Sequence, residues 1–322
     1  MWDVLHLRAI VPVDRTDAVG GLLEEFPGAT NVIVLPGAAR LPKGDLVTCD
    51  IARESANEIL DALRDLGLHE DGSIALEHID LSMSTAAAVA SKRAPGHGDD
   101  AVVWAELDRH VTEGTQLTWA FLVFLVLATQ LAGIAALIDS PILVVGAMVL
   151  GPEFAAIAAI CLGVITLQPR RIGRAIRTLA IGFTVAVAVT YACALAGRWA
   201  GVISLDRLPD ERPLTAFIYS PDRWSFIVAV LAGAAGVLSL TAGKSSALVG
   251  VFISVTTVPA AGNLAVALAL RHGSEVAGSL TQLGVNIAGM VIAGSLTLVV
   301  QRTVWSAVLR RKGGRAVRQT SG

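Results

Sequence analysis

Residues that could do chemistry in the apolar two-thirds of this chain gather in two short runs. The first is GAMVLGPE at 146–153, where Gly151 and Pro152 interrupt an apolar stretch covering 140–166 and Glu153 follows at once. The second is SVTTVPAAGN at 254–263, which places Ser254, Thr256, Thr257, Pro259 and Asn263 within another long apolar stretch. Gly suits the end of a helix and Pro its first turn, so Gly-Pro reads as a stop and restart. A helix broken inside a bilayer frees backbone N–H and C=O groups that must find partners. The freed ends carry partial charge and can hold an ion or a polar solute. Glu153 in the first turn after Pro152 has two readings. One is a carboxylate stabilised by the helix end. The other is a group that couples protons or cations or touches a substrate, the default for a carboxylate at membrane depth. Thr256, Thr257 and Asn263 would line the second break. Asn286, Gln130 and Gln282 are amides in apolar surroundings, and they read either as bonds between helices or as further substrate contacts.

These residues need a frame, and the composition names its kind. The 322 residues are 54% hydrophobic and only 16% charged, a combination rare in soluble domains. Six apolar segments, at 117–138, 140–166, 178–197, 224–242, 245–270 and 279–300, approach or exceed the ~20 residues that span a bilayer. The amino terminus carries Asp3, His6 and Arg8 where a secretory signal would need an apolar core, so residues 1–81 are expected to stay in the cytoplasm. Arg170, Arg171, Arg174, Arg177, Lys244 and the basic tail 302–322 then fall on the same side. The arginines of the 198–223 loop are largely balanced by acids. That bias predicts six spans with both termini inside a plasma (inner) membrane.

Before the spans, residues 3–80 alternate between strand and helix patterns. Leu5, Leu7, Ala9 and Val11 share one strand face, and Val47, Cys49 and Ile51 share another. Two amphipathic helices separate these runs. A Pro/Gly turn is expected from Pro36 to Gly44. The order is βαββαβ, the ferredoxin-like α+β pattern. Residues 82–115 read as a linker followed by an amphipathic helix at the membrane interface. The expected division is thus a soluble domain (1–81), that connection, a six-span domain (116–301) and a tail (302–322).

The spans group as two sets of three, each with an interrupted middle member. Three is odd, so a second copy would lie inverted, the arrangement that marks the binding site of many transporters. At this point the two runs resemble the signatures of the membrane family catalogued as domain of unknown function 389. In that family a Gly-Ala-Met stretch is followed by Ser-Pro and a second Gly-Pro, and a later Gly-Val segment ends in Val-Pro. Here GAMVLGPE answers to the first and GVFISVTTVP at 250–259 to the second, while Asn286 matches an Asn of the last span. The chain departs from the pattern at Gly151, where the family usually has Ser, and at Glu153 and Phe154, which replace apolar residues. The resemblance implies the same layout of soluble domain, linker and spans.

Together these readings predict a transporter of a small polar solute or ion that works as a homo-oligomer in the lipid bilayer. Its site would lie between the two breaks, and the cytoplasmic domain would regulate or assemble it. A membrane-anchored sensor or scaffold without transport, or a gated ion channel, is the alternative. No nucleophile elbow, phosphate loop or metal spacing is present, so no enzyme activity, metal or cofactor is expected. No basic patch points to nucleic acid.

Overall fold

The computed structural model describes residues 4–79, 84–94, 101–203, 212–242 and 257–320, with the backbone alone over 308–320. They fall into two compact units, Met1–Glu106 with Gln301–Gly322, and Leu107–Val300.

The first unit holds β1 (Val4–Val11), α1 (Thr16–Glu25), β2 (Ala29–Arg40), β3 (Lys43–Ala52), α2 (Ala56–Asp65), the single turn α3 (Leu68–Asp71) and β4 (Ser73–His78). The strands form one antiparallel sheet in the order β2-β3-β1-β4. Alternation sends Leu5, Leu7, Ala9 and Val11 of β1 and Val47, Cys49 and Ile51 of β3 to the same face. There they meet Val19 and Leu23 of α1 and Ile59 and Leu63 of α2. Each such aliphatic side chain contributes roughly 1.5–3 kcal/mol by leaving water. The opposite face is polar: His6 and Asp50 lie 2.9 Å apart across β1 and β3, and Asn31 donates to Asp50 at 2.7 Å.

The turn expected from Pro36 to Gly44 is shorter than that, confined to Leu41 and Pro42. β2 runs on through Pro36 to Arg40, and the reversal comes after it. β2 is an edge strand, so Pro36 costs no ladder bond on its free side. A register shift between Leu35 and Ala39, with Gly37 at φ +66°, absorbs the irregularity. Between the sheet and the second unit lie α4 (Thr85–Arg93), inside the stretch read as linker, and α5 (Trp104–Gly114), the expected amphipathic helix.

The second unit is helical: α6 (Trp119–Leu137), α7 (Pro141–Leu150), α8 (Phe154–Ile165), α9 (Pro169–Trp199), α10 (Arg223–Thr241), α11 (Thr257–Leu270) and α12 (Gly273–Thr320), whose residues from 301 on belong to the first unit. Four helices are long and apolar enough to cross a membrane: α6, α9, α10 and the first part of α12. α7 and α8 pass that test together and meet at a 59° bend, which makes five. Six spans were expected. The missing one is 245–270, of which residues 245–256 lie outside the described residues. The remainder, α11, has 14 residues, about 21 Å at 1.5 Å each, and cannot bridge a ~30 Å hydrocarbon layer alone. Trp119, Trp199 and Trp224 stand exposed at the helix ends, the positions that membrane interfaces favour. The chain has the build of a membrane-spanning protein.

α11 is the centre of this unit. It packs against α6, α7 and α9, and every residue except Leu268 is buried. Gly262 allows the close approach. A Cβ there would lie 2.6 Å from the Ala132 Cβ and 2.8 Å from the Thr129 carbonyl oxygen on α6, so the two backbones nearly touch. Gly233 of α10 does the same against the Met290 backbone of α12.

Candidate functional site

The bend at 151–153 forms where the sequence breaks. Gly151 leaves helical geometry at ψ 119°, and α8 begins after Glu153, whose carbonyl accepts from Ala156 and Ile157 N–H. Glu153 is buried, at 1% exposure. Its Oε1 accepts a 2.6 Å hydrogen bond from the hydroxyl of Thr257, the first residue of α11. The bond joins positions 104 residues apart and ties the bend to α11. The distance falls in the short range typical of a hydroxyl donating to an ionised carboxylate, and the N-terminal end of α8 favours negative charge there. Gly151 and Pro152 form the bend itself. Ser254 and Thr256, expected beside Thr257, lie outside the described residues. Pro259 lies in the described part of α11, two residues from its edge, and the residues before Thr257, where the second break was expected, lie outside the described residues.

Six residues along α11 from Thr257, Asn263 belongs to a second polar cluster. Its amide nitrogen donates to Ser279 Oγ at 3.0 Å and to Glu275 Oε2 at 3.1 Å, both on α12. Its amide oxygen accepts from Arg212 at 2.9 Å. Arg212 reaches three helices. Besides Asn263 on α11, it donates to the Ala136 carbonyl of α6 at 3.3 Å and pairs with Glu275 of α12. Its guanidinium carbon stands 4.5 Å from the centre of the Tyr219 ring. Next to this cluster, Asp139 accepts from the Thr215 hydroxyl at 2.6 Å and from the Leu214 N–H at 3.4 Å. The segment following Arg212 is thereby tied to the ends of α6, α11 and α12.

Gln282 and Asn286 continue the second cluster along α12. Glu275, Ser279, Gln282 and Asn286 recur at i, i+4, i+7 and i+11, which places them on one helix face. Ser279, Gln282 and Asn286 are buried, and Gln282 donates to Asn286 at 3.4 Å. Gln130 stands apart from both clusters, its amide donating to Cys193 Sγ at 3.4 Å between α6 and α9.

The sequence reading therefore found Glu153, Thr257, Asn263, Gln282 and Asn286 but missed Arg212, Glu275 and Ser279. The stripe on α12 was available as a period in polar residues. Arg212 was not, because it reads as an ordinary loop charge and its carboxylate partner is 63 residues away. Among the described residues no group of three or more His, Cys, Asp or Glu side chains could hold a metal.

In the first unit, burial pushes the Cys49 thiol up to about 12, so it is a packing residue and not a nucleophile. The N–H of Gly37 and the hydroxyl of Thr16, at 2.7 Å each, hold the Asp45 carboxyl below its ordinary value. Asp222, which caps α10 through the Ser225 N–H and hydroxyl, is lowered for the same reason.

The model of the family described as Domain of unknown function (DUF389) matches residues 148–292. That stretch runs from late α7 into α12 and contains the bend at 151–153 and the run ending at Pro259, so the resemblance read from the sequence holds there. No curated protein and no solved structure matches the chain.

Proposed function

We propose, for a chain that carries this family's domain in its membrane unit, that it is an integral membrane transporter of a small polar solute or ion. The supporting observation is the buried Glu153–Thr257 bond, which places a carboxylate where an interrupted helix meets the start of α11. An intramembrane carboxylate aimed at protein rather than lipid is costly to keep unless it is used. In this reading the unit has six spans in two inverted sets of three. α7–α8 is one broken span, and α11 is the second half of the other. The stripe on α12 leads from the Arg212–Glu275 pair toward the interior. Both termini are cytoplasmic at the plasma (inner) membrane. The soluble unit is a ferredoxin-like domain that regulates or assembles a homo-oligomer, and the protein has no catalytic role.

Osmotic swelling of liposomes tests this without knowing the substrate. Vesicles with the full chain are challenged in parallel with glycerol, urea, glycine and potassium chloride, and a pH-sensitive dye reports protons. The expected result is faster entry of at least one of these than into empty vesicles, reduced by Glu153→Gln and by Thr257→Val. Entry indistinguishable from empty vesicles for every probe would favour an anchored sensor and overturn the transport reading. So would entry indifferent to both substitutions.

A further inference from the structure

Most threonines in the helices of the membrane unit bond their own helix, and Thr178 and Thr257 donate elsewhere, to the Thr115 carbonyl and to Glu153. Thr129, Thr166, Thr184, Thr241, Thr281 and Thr297 each donate their hydroxyl to the carbonyl four residues earlier in the same helix, the usual way a span neutralises a hydroxyl. Thr190 of α9 is buried, at 4% exposure, as Thr129 and Thr241 are, yet its Oγ1 has no hydrogen-bond partner among the described residues. Leaving a buried polar group unmet is unfavourable, and the carbonyl of Ala186 is the partner that pattern would supply.

Thr190 lines a pocket of about 180 Å³ between α6, α9 and α11, open on the side where Ile134 and Cys193 are exposed. Leu137, Ile203 and Val266 close one end of it, packed on one another with Leu270. The other polar groups on its wall are the Gln130 amide and the Cys193 thiol, and none of the lining residues is charged. A cavity of roughly 150 Å³ accepts benzene, whereas a lone water needs two to four polar partners and would leave most of this pocket empty. Thr190 lies nine residues before Trp199, about 13.5 Å along α9 at 1.5 Å per residue. That is mid-depth in a hydrocarbon layer of ~30 Å.

We propose that this pocket is a binding site for a small neutral amphiphile, a compact apolar body of about ring size bearing one hydroxyl. Its hydroxyl exchanges hydrogen bonds with Thr190 Oγ1 and its body fills the apolar walls. Uncharged walls at this depth exclude ions, whose desolvation nothing there would offset. The site is separate from the Glu153–Thr257 bond and does not depend on the transport reading.

The test uses the purified full chain in lipid nanodiscs and fluorine NMR saturation transfer with 3-fluorophenol and fluorobenzene, with empty nanodiscs subtracted. The expected result is saturable binding of fluorophenol, displaced by phenol and tighter than that of fluorobenzene. Thr190→Val weakens fluorophenol about tenfold, the factor of one buried neutral hydrogen bond, and leaves fluorobenzene unchanged. Thr190→Ser keeps the preference, and Ala194→Phe, which fills the pocket, abolishes both signals. Thr190→Val also raises the melting temperature of the ligand-free protein, because it removes an unmet buried hydroxyl; a lower melting temperature would show a bonded hydroxyl and overturn the proposal. Absence of saturable binding to the wild type, equal affinity for the two probes, or insensitivity to Thr190→Val would overturn it as well.

Discussion

Replacing Thr257 by valine removes one hydroxyl and little volume. The lost bond is a 2.6 Å contact to a buried carboxylate oxygen. Hydrogen bonds to charged groups are worth about 1.5–3 kcal/mol net, so Thr257→Val is expected to destabilise the membrane unit by about that amount. Glu153→Gln keeps the shape and leaves an amide oxygen to accept the hydroxyl, so it costs less on this account, about 1 kcal/mol. The double variant should then show a coupling of about 1–2 kcal/mol between the two positions, because each single change already removes part of the same bond. Thr257→Ser retains the donor and serves as the control. The assay is denaturant unfolding of the purified full chain in detergent, read as a double-mutant cycle. A coupling under about 0.5 kcal/mol, the level at which independent sites add, would refute the reasoning. The two segments would then be held together by packing, and the bond would carry nothing.

Three further outcomes follow from the same structure. Arg212→Met strands the largely buried Glu275 carboxylate and should lower stability by about 3–5 kcal/mol. Adding Glu275→Gln should recover much of the loss in thermal melts, while Arg212→Lys should not match the wild type because one ammonium cannot reproduce the guanidinium fork. Gly262→Ala drives a methyl into the α6 backbone and should cost about 1–3 kcal/mol; Gly284→Ala, where nothing lies within 4 Å, should be neutral or stabilising by up to about 1 kcal/mol in the same melts. Because the Asp45 carboxyl is lowered in the folded state, its contribution is present above the unfolded value, about 3.9, and is lost as pH falls through the lower folded one. Hydrogen exchange at Gly37, corrected for intrinsic rate, should therefore lose protection on acidification below about pH 4 in the wild type, and Asp45→Asn should remove that dependence.

What could be read in advance depended on whether a signal was local. Leu5, Leu7, Ala9 and Val11 announce their strand because a half-buried sheet imposes a period of two, and Gly151-Pro152 announces the bend because backbone chemistry forbids a smooth helix there. The extent of β2 escaped because its residues are largely exposed and follow no burial period, and Pro36 and Gly37 mimic a turn that an edge strand can tolerate. Arg212 escaped for a different reason. Nothing in its neighbours distinguishes a solvated loop charge from one folded back among three helices, since that depends on Asn263 and Glu275 arriving from elsewhere in the chain. Thr190 was equally invisible, because only its neighbours' geometry reveals that its buried hydroxyl is left without a partner among the described residues.

The reach of Arg212 imposes an order on how the protein is made. The arginine leaves the ribosome 63 residues ahead of Glu275, so while the final helix is still unborn its charge has no neutralising carboxylate at that location and must remain hydrated. A chain made only as far as α11 is therefore expected to be an unsealed precursor, with α12 the keystone that completes the pair. A chain that stops short of Glu275 would stay in that precursor form, recognisable to quality-control proteases by the same stretch that maturation hides.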